Sequence, residues 1–182
     1  MKAEWTGGSL GAQHMNAVMA ELIPMLDGGQ GFHLIHAAGS LYYKELMRRL
    51  AADAPDFEKK GVEVREYIYD MPRLMAAADL ILCRAGASTL AELCYLGKPV
   101  LIVPSPNVTE NHQEKNARVL EQAGGAEVLL EGGFDAGSLL RLVQALLSDE
   151  ARLAQMSEAM RGLAVRDATE RICETILALC GQ

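Results

Sequence analysis

Residues 79–117, DLILCRAGASTLAELCYLGKPVLIVPSPNVTENHQEKNA, decide how the rest of the chain is read. Asp79 to Cys83 opens with an apolar run short and unbroken enough for a strand buried on both faces of a parallel sheet. Arg84-Ala85-Gly86-Ala87 follows as a small-residue turn. Ser88 to Leu96 then places Leu90, Leu93 and Cys94 at helical spacing until Gly97 ends the run. Val100 to Val103 predicts a second buried strand, Pro104 to Thr109 a loop, and a further helix begins near Asn111. Strand, turn, helix, strand, loop, helix is the pattern of a doubly wound sheet, whose ligands lie at the carboxyl ends of the strands. A site is therefore expected around Arg84–Glu92 and Pro104–Gln113.

Outward from this stretch the same alternation recurs. Gly7-Gly8-Ser9-Leu10-Gly11-Ala12 is a glycine-rich turn entering a helix over 13–26. The six residues before it are short and polar for a strand, as though the chain were cut within a longer protein. A strand is predicted over 32–38, a helix over 41–54, a half-exposed alternating strand over 62–68 and a short helix over 71–78 with Pro72 near its first position. After the central stretch come a helix over 111–122, a strand over 126–130 and three helices over 136–147, 150–163 and 168–179. Six strands alternating with helices predict a single α/β domain: a Rossmann-like, doubly wound parallel sheet with a helical tail.

Composition narrows the function. At 182 residues the chain buries a full core, and a net charge of −7 excludes a general nucleic-acid binder, which needs an electropositive face. No apolar stretch approaches the ~20 residues that span a bilayer, and no signal peptide is present. Cys83, Cys94, Cys173 and Cys180 form no CxxC pair and are read as reduced core cysteines of a cytosolic protein. His33 and His36, three apart on a strand, point to opposite faces, and His14 and His112 have no neighbouring ligand set, so no metal site is expected. No GxSxG elbow supports a serine hydrolase. The methionines at 15, 19, 25, 71, 75, 156 and 160 are read as core filler.

Three constellations carry chemistry, each with a plainer reading. The glycines of 7–12 let backbone amides approach a diphosphate at a helix N-terminus, or simply allow tight packing of helix on sheet; GxGxxG spacing and a P-loop lysine are both missing. Thr89 and Glu92 fit an S/T-x-x-E capping box, or Glu92 accepts hydrogen bonds from a ribose diol while the helix start faces a phosphate. Asn111 and Glu114 would cap the next helix, leaving His112 and Gln113 either as a solvated helix start or as uncharged donors and acceptors for sugar hydroxyls.

Together and in this order, GGSLGA at 7–12, YIYDM at 67–71, CRAGASTLAE at 83–92, GKPVLIVPSP at 97–106, NHQEKNA at 111–117 and DATERI at 167–172 resemble the C-terminal domain of the MurG family. Those are the transferases that add N-acetylglucosamine to the lipid-linked muramyl-pentapeptide of peptidoglycan synthesis. The resemblance runs from Gly7 nearly to the end. It implies the donor half of a two-domain GT-B glycosyltransferase that binds UDP-N-acetylglucosamine without metal or cofactor. Carried over residue by residue, Ser9 lies at the diphosphate in a turn made by Gly7, Gly8 and Gly11. Ile68 offers backbone to the uracil near Met71, and Ala87, Ser88 and Thr89, after Gly86, present the helix start to the phosphates. Glu92 takes the ribose, and His112 and Gln113 the sugar. The family's paired glutamines are His112-Gln113 here. The acceptor loop, catalytic base and membrane-docking patch belong to the N-terminal domain, so the resemblance places no catalytic residue in this chain and expects it to be inactive alone. In the intact enzyme the domain would be peripheral on the inner face of the membrane. Its tail helix from Ala168 would pack on the other half, and its exposed apolar face would favour a homodimer. A separate donor-binding subunit of a split transferase and a glycolipid glycosyltransferase share the pattern. A UDP-N-acetylglucosamine 2-epimerase would need carboxylates and histidines not found here.

Overall fold

The computed structural model describes residues 2–6 and 12–180. One six-stranded sheet, parallel throughout, has the order β3-β2-β1-β4-β5-β6. The strands are β1 (Lys2–Thr6), β2 (His33–Ala37), β3 (Val62–Arg65), β4 (Leu80–Cys83), β5 (Val100–Ile102) and β6 (Ala126–Val128). Between and after them run α1 (Gln13–Met25), α2 (Tyr43–Asp53), α3 (Met71–Ala77), α4 (Ala87–Leu96), α5 (His112–Gln122), α6 (Ala136–Ser148), α7 (Glu150–Gly162) and α8 (Ala168–Cys180). The polar segment Lys2–Thr6 occupies the middle of the sheet, paired with β2 on one side and β4 on the other. There the strand order reverses, and ligands of doubly wound sheets bind at such a reversal.

The central strands are buried on both faces, as their unbroken apolar runs imply. Alternation divides them: Leu80, Leu82 and Leu101 join the core of α1, α2 and α6, while Ile81, Cys83, Val100 and Ile102 join that of α3, α4 and α5. α7 closes the β6 edge and serves both cores, Met156 in the first and Met160, one turn on, in the second. β3 and β6 each end before the predicted boundary, at Arg65 and Val128, leaving Tyr67–Asp70 and Leu129–Gly133 as loops at the carboxyl edge.

Three expectations need correction. Gly86 is the N-cap of α4, so Thr89 is its third helical residue and Glu92 lies in the second turn; no capping box forms. Only Cys83 and Cys94 are buried; Cys173 and Cys180 lie exposed on α8, an element with no buried residue. Among the methionines, Met25 is 52% exposed, whereas Met71 is partly buried against the second core and also lines the carboxyl-edge cavity.

Candidate functional site

A cavity of about 310 Å³ opens at the carboxyl edge, beside the reversal of strand order. The β3–α3 loop contributes Tyr67 and Ile68, and α3 contributes Met71 and Met75. The end of β4 supplies Cys83, the β4–α4 turn Arg84 and Gly86, and α4 Thr89 and Glu92; Ala37 and Gln113 complete the wall. Of the site residues expected from sequence, Ile68, Met71, Gly86, Thr89, Glu92 and Gln113 are thus brought together. Ala87 and Ser88 form the exposed first turn of α4, outside the cavity wall, and His112 is exposed at the start of α5. Ser9, Gly7, Gly8 and Gly11 lie outside the described residues.

The start of α4 leaves backbone donors without side-chain caps. Its first intrahelical bond runs from Leu90 N–H to the Gly86 carbonyl, and Gly86 brings no side-chain cap. The amides of Ala87, Ser88 and Thr89 therefore have no helical acceptor, and the positive end of the helix dipole lies beside the cavity. One turn further on, Glu92 is exposed at the wall, and among the described residues none hydrogen-bonds to its carboxylate. An ionised carboxylate so placed accepts from hydroxyls and offers no donor.

The opposite wall starts from unusual backbone. Glu110 and Asn111 both adopt left-handed conformations, φ 55° and 54°, immediately before α5. Two adjacent non-glycine residues in that region cost on the order of 1–3 kcal/mol each, strain that clusters where a site must be shaped. Asn111 does not cap the helix backbone; its Nδ2 donates to Glu114 Oε2 at 2.6 Å. That bond, with one from Arg118, holds the Glu114 carboxyl below its ordinary range. Behind this turn Gln113 Oε1 accepts from the Ser105 N–H at 2.9 Å, and Gln113 lines the cavity with an amide nitrogen that can still donate.

Two further features have no local sequence signal. Arg84 donates to the carbonyls of Val103 (3.0 Å) and Pro104 (3.2 Å) and pairs with Glu131, tying together the loops after β4, β5 and β6. Between α1 and β2, Asn16 on α1 donates to the carbonyls of Ala12 (3.0 Å) and Ala38 (2.9 Å) and accepts from His36 Nε2 at 2.9 Å. Burial lowers the His36 pKa to about 4, so the ring is neutral at neutral pH. Among the described residues, no group of three or more metal-ligating side chains comes together.

The family model of the glycosyltransferase family 28 C-terminal domain matches residues 5–172. The chain belongs to that family. Curated relatives include the UDP-N-acetylglucosamine–N-acetylmuramyl-(pentapeptide) pyrophosphoryl-undecaprenol N-acetylglucosamine transferase of Acetivibrio thermocellus, 42% identical over 170 residues, 93% of this chain and 45% of the relative. The enzyme of the same name from Desulfitobacterium hafniense is 41% identical over 172 residues, 94% of this chain and 47% of that one. Among solved structures, MurG of Acinetobacter baumannii superposes with a TM-score of 0.79 at 26% identity, covering 98% of this chain and 52% of that one. This family 28 domain thus spans about half the length of the relatives it matches.

Proposed function

We propose that the chain is the donor-binding half of an inverting glycosyltransferase that moves N-acetylglucosamine from UDP-N-acetylglucosamine to a lipid-linked muramyl-pentapeptide in peptidoglycan synthesis. The observation that carries this reading is the cavity at the strand-order reversal, with an uncapped helix N-terminus, a carboxylate and an amide donor converging on it, in a chain whose relatives are transferases of that name. The uracil lies against Ile68 and Met71, with Ile68 offering backbone groups. Glu92 accepts from the ribose hydroxyls. The diphosphate meets the amides of Ala87, Ser88 and Thr89, joined by the Ser9 turn, and Gln113 with His112 addresses the sugar.

The acceptor hydroxyl attacks the anomeric carbon from the face opposite UDP. The bond to the diphosphate oxygen breaks, and its negative charge grows on UDP. Backbone amides already aimed at that oxygen stabilise the charge without reorganising, the arrangement by which fixed dipoles accelerate such displacements. The base that takes the acceptor's proton belongs to the other half of the enzyme, as does the surface that meets the membrane; no helix among the described residues is long and apolar enough to cross one. α8, with Ile172, Ile176, Leu177 and Leu179 all more than half exposed, packs on that other half.

Calorimetric titration with UDP-N-acetylglucosamine, UDP-glucose, UDP and GDP tests the reading. The uridine ligands are expected to bind, the N-acetylglucosamine form more tightly than the glucose form, and GDP to give no signal. Absence of binding by every uridine ligand, both alone and with the N-terminal half of a relative added in trans, would refute it.

A further inference from the structure

Arg84 is the cation among the described walls of the cavity, and a cation beside a diphosphate invites direct pairing. Its surroundings give it another task. The Arg84 and Glu131 side chains are only 19% and 20% exposed, and they face each other as a salt bridge. Nη1 of the same guanidinium reaches the carbonyls of Val103 and Pro104. Those two carbonyls immediately precede Ser105, whose N–H donates to Gln113 Oε1. Contacts therefore run from Glu131 on the β6–α6 loop, through Arg84, to the backbone after β5 and on to the Gln113 side chain in the cavity wall.

Each link restricts the next. A planar guanidinium fixed by a carboxylate on one side presents its remaining donors in one plane, which holds both carbonyls at once. The segment so held sets the direction of the Ser105 N–H. That N–H in turn selects which end of the Gln113 amide faces the protein and which faces the cavity. Glu131 also compensates the charge of Arg84, leaving the α4 amides as the feature that attracts the diphosphate.

Resting on the donor-binding reading above, we propose that Arg84 and Glu131 are positioning residues: a clamp that holds the Val103–Ser105 segment and, through the Ser105 amide, aims Gln113 at the donor's sugar. The clamp acts on sugar recognition and leaves nucleotide binding alone. A lysine at position 84 has one nitrogen where the arginine has a fork, and cannot hold the carboxylate and both carbonyls together.

The test compares Glu131→Ala, Arg84→Lys, Gln113→Ala and the double variant Glu131→Ala/Gln113→Ala with the unaltered chain, measuring affinity for UDP and UDP-N-acetylglucosamine side by side. Glu131→Ala is expected to leave UDP affinity within about twofold and to weaken the sugar nucleotide roughly tenfold, the scale of one lost hydrogen bond. Arg84→Lys should shift the ratio in the same direction. Gln113→Ala should reproduce the change, and the double variant should be no worse than Gln113→Ala, because the clamp works through that residue. A loss of general stability would not move the ratio of the two affinities. Equal weakening of both ligands, tighter UDP binding by a released Arg84, or additive losses in the double variant would overturn the clamp. Hydrogen exchange at the Ser105 amide, which needs no ligand, is expected to quicken in Glu131→Ala; unchanged exchange would also overturn it. Failure of the unaltered chain to bind UDP, with faster Ser105 exchange in the variant, would count against the donor reading and leave the clamp standing.

Discussion

Replacing His36 by glutamine tests whether a buried imidazole governs the acid stability of this domain. His36 is 1% exposed on β2, and its Nε2 hydrogen must point at Asn16 Oδ1, because the Asn16 amide nitrogen is already donating to two carbonyls. The tautomer is thereby fixed, and Nδ1 is left as a buried acceptor with no partner among the described residues. Protonation would place a charged N–H there with nothing to receive it, which is why burial lowers the pKa from 6.5 to about 4. In the unfolded chain the imidazole has its ordinary pKa, so between these limits the unfolded state binds the extra proton. Stability due to neutral His36 is complete above about pH 6.5 and is lost as pH falls toward 4. At ~1.4 kcal/mol per pH unit the loss amounts to roughly 3 kcal/mol, a large part of a typical domain's stability. Urea denaturation followed by circular dichroism at pH 7, 6, 5 and 4 measures it. Glutamine keeps an amide donor and does not titrate, so its cost is constant with pH. The gap between the unaltered protein and His36→Gln should narrow or reverse by ~3 kcal/mol on going from pH 7 to 4. Carboxylates titrating in the same range act on both proteins and cancel. Two curves that stay parallel within about 0.5 kcal/mol would refute the reasoning.

Other predictions are simpler. Glu92→Ala is expected to weaken UDP binding by roughly 1–3 kcal/mol, the scale of hydrogen bonds to a charged group, with no change in melting temperature; unchanged affinity in the folded variant would remove Glu92 from the ribose. Gly97 ends α4 at φ +64°, and a Cβ added there would lie 2.5 Å from Arg161 Cγ. Gly97→Ala should therefore cost roughly 1–2 kcal/mol from the left-handed backbone, plus displacement of Arg161, read as a lower urea midpoint; a midpoint equal to that of the unaltered protein would contradict it.

The sheet was largely legible because its evidence is local. Leu80-Ile81-Leu82-Cys83 is apolar at every position, which requires cover on both faces, and the glycines and prolines around it mark where the chain turns. Boundaries were less so: the strand reading over 62–68 runs past Glu66, where the alternation of Val62 to Arg65 breaks, whereas the strand stops at Arg65 and the loop brings Ile68 to the cavity wall. Thr89-x-x-Glu92 fits a capping box by spacing, but the extended residue before the helix is Gly86, and spacing alone cannot say where the extended backbone ends. The polar contacts found only in the structure join residues far apart in sequence, Arg84 with Glu131 and Asn16 with His36, so no periodicity announces them. Exposure of α8 was equally hidden in part, since Cys173 and Cys180 carry the same apolar signature as buried thiols.

The place of β1 has a consequence for assembly. Ala3 pairs with Leu34 on one side and with Leu80 on the other, so the β1–β4 seam joins two halves of the sheet across a long excursion of chain. Closing such a loop carries an entropic penalty before any contact rewards it, and non-local pairings of this kind form late and slowly. The cavity straddles that seam, with Ala37 from the early half and Glu92 and Gln113 from the later one. Neither half alone supplies all the walls of that cavity. If the cavity takes the proposed nucleotide, its binding reports completion of the whole sheet, and a bound ligand stabilises the finished domain without favouring either half-formed intermediate.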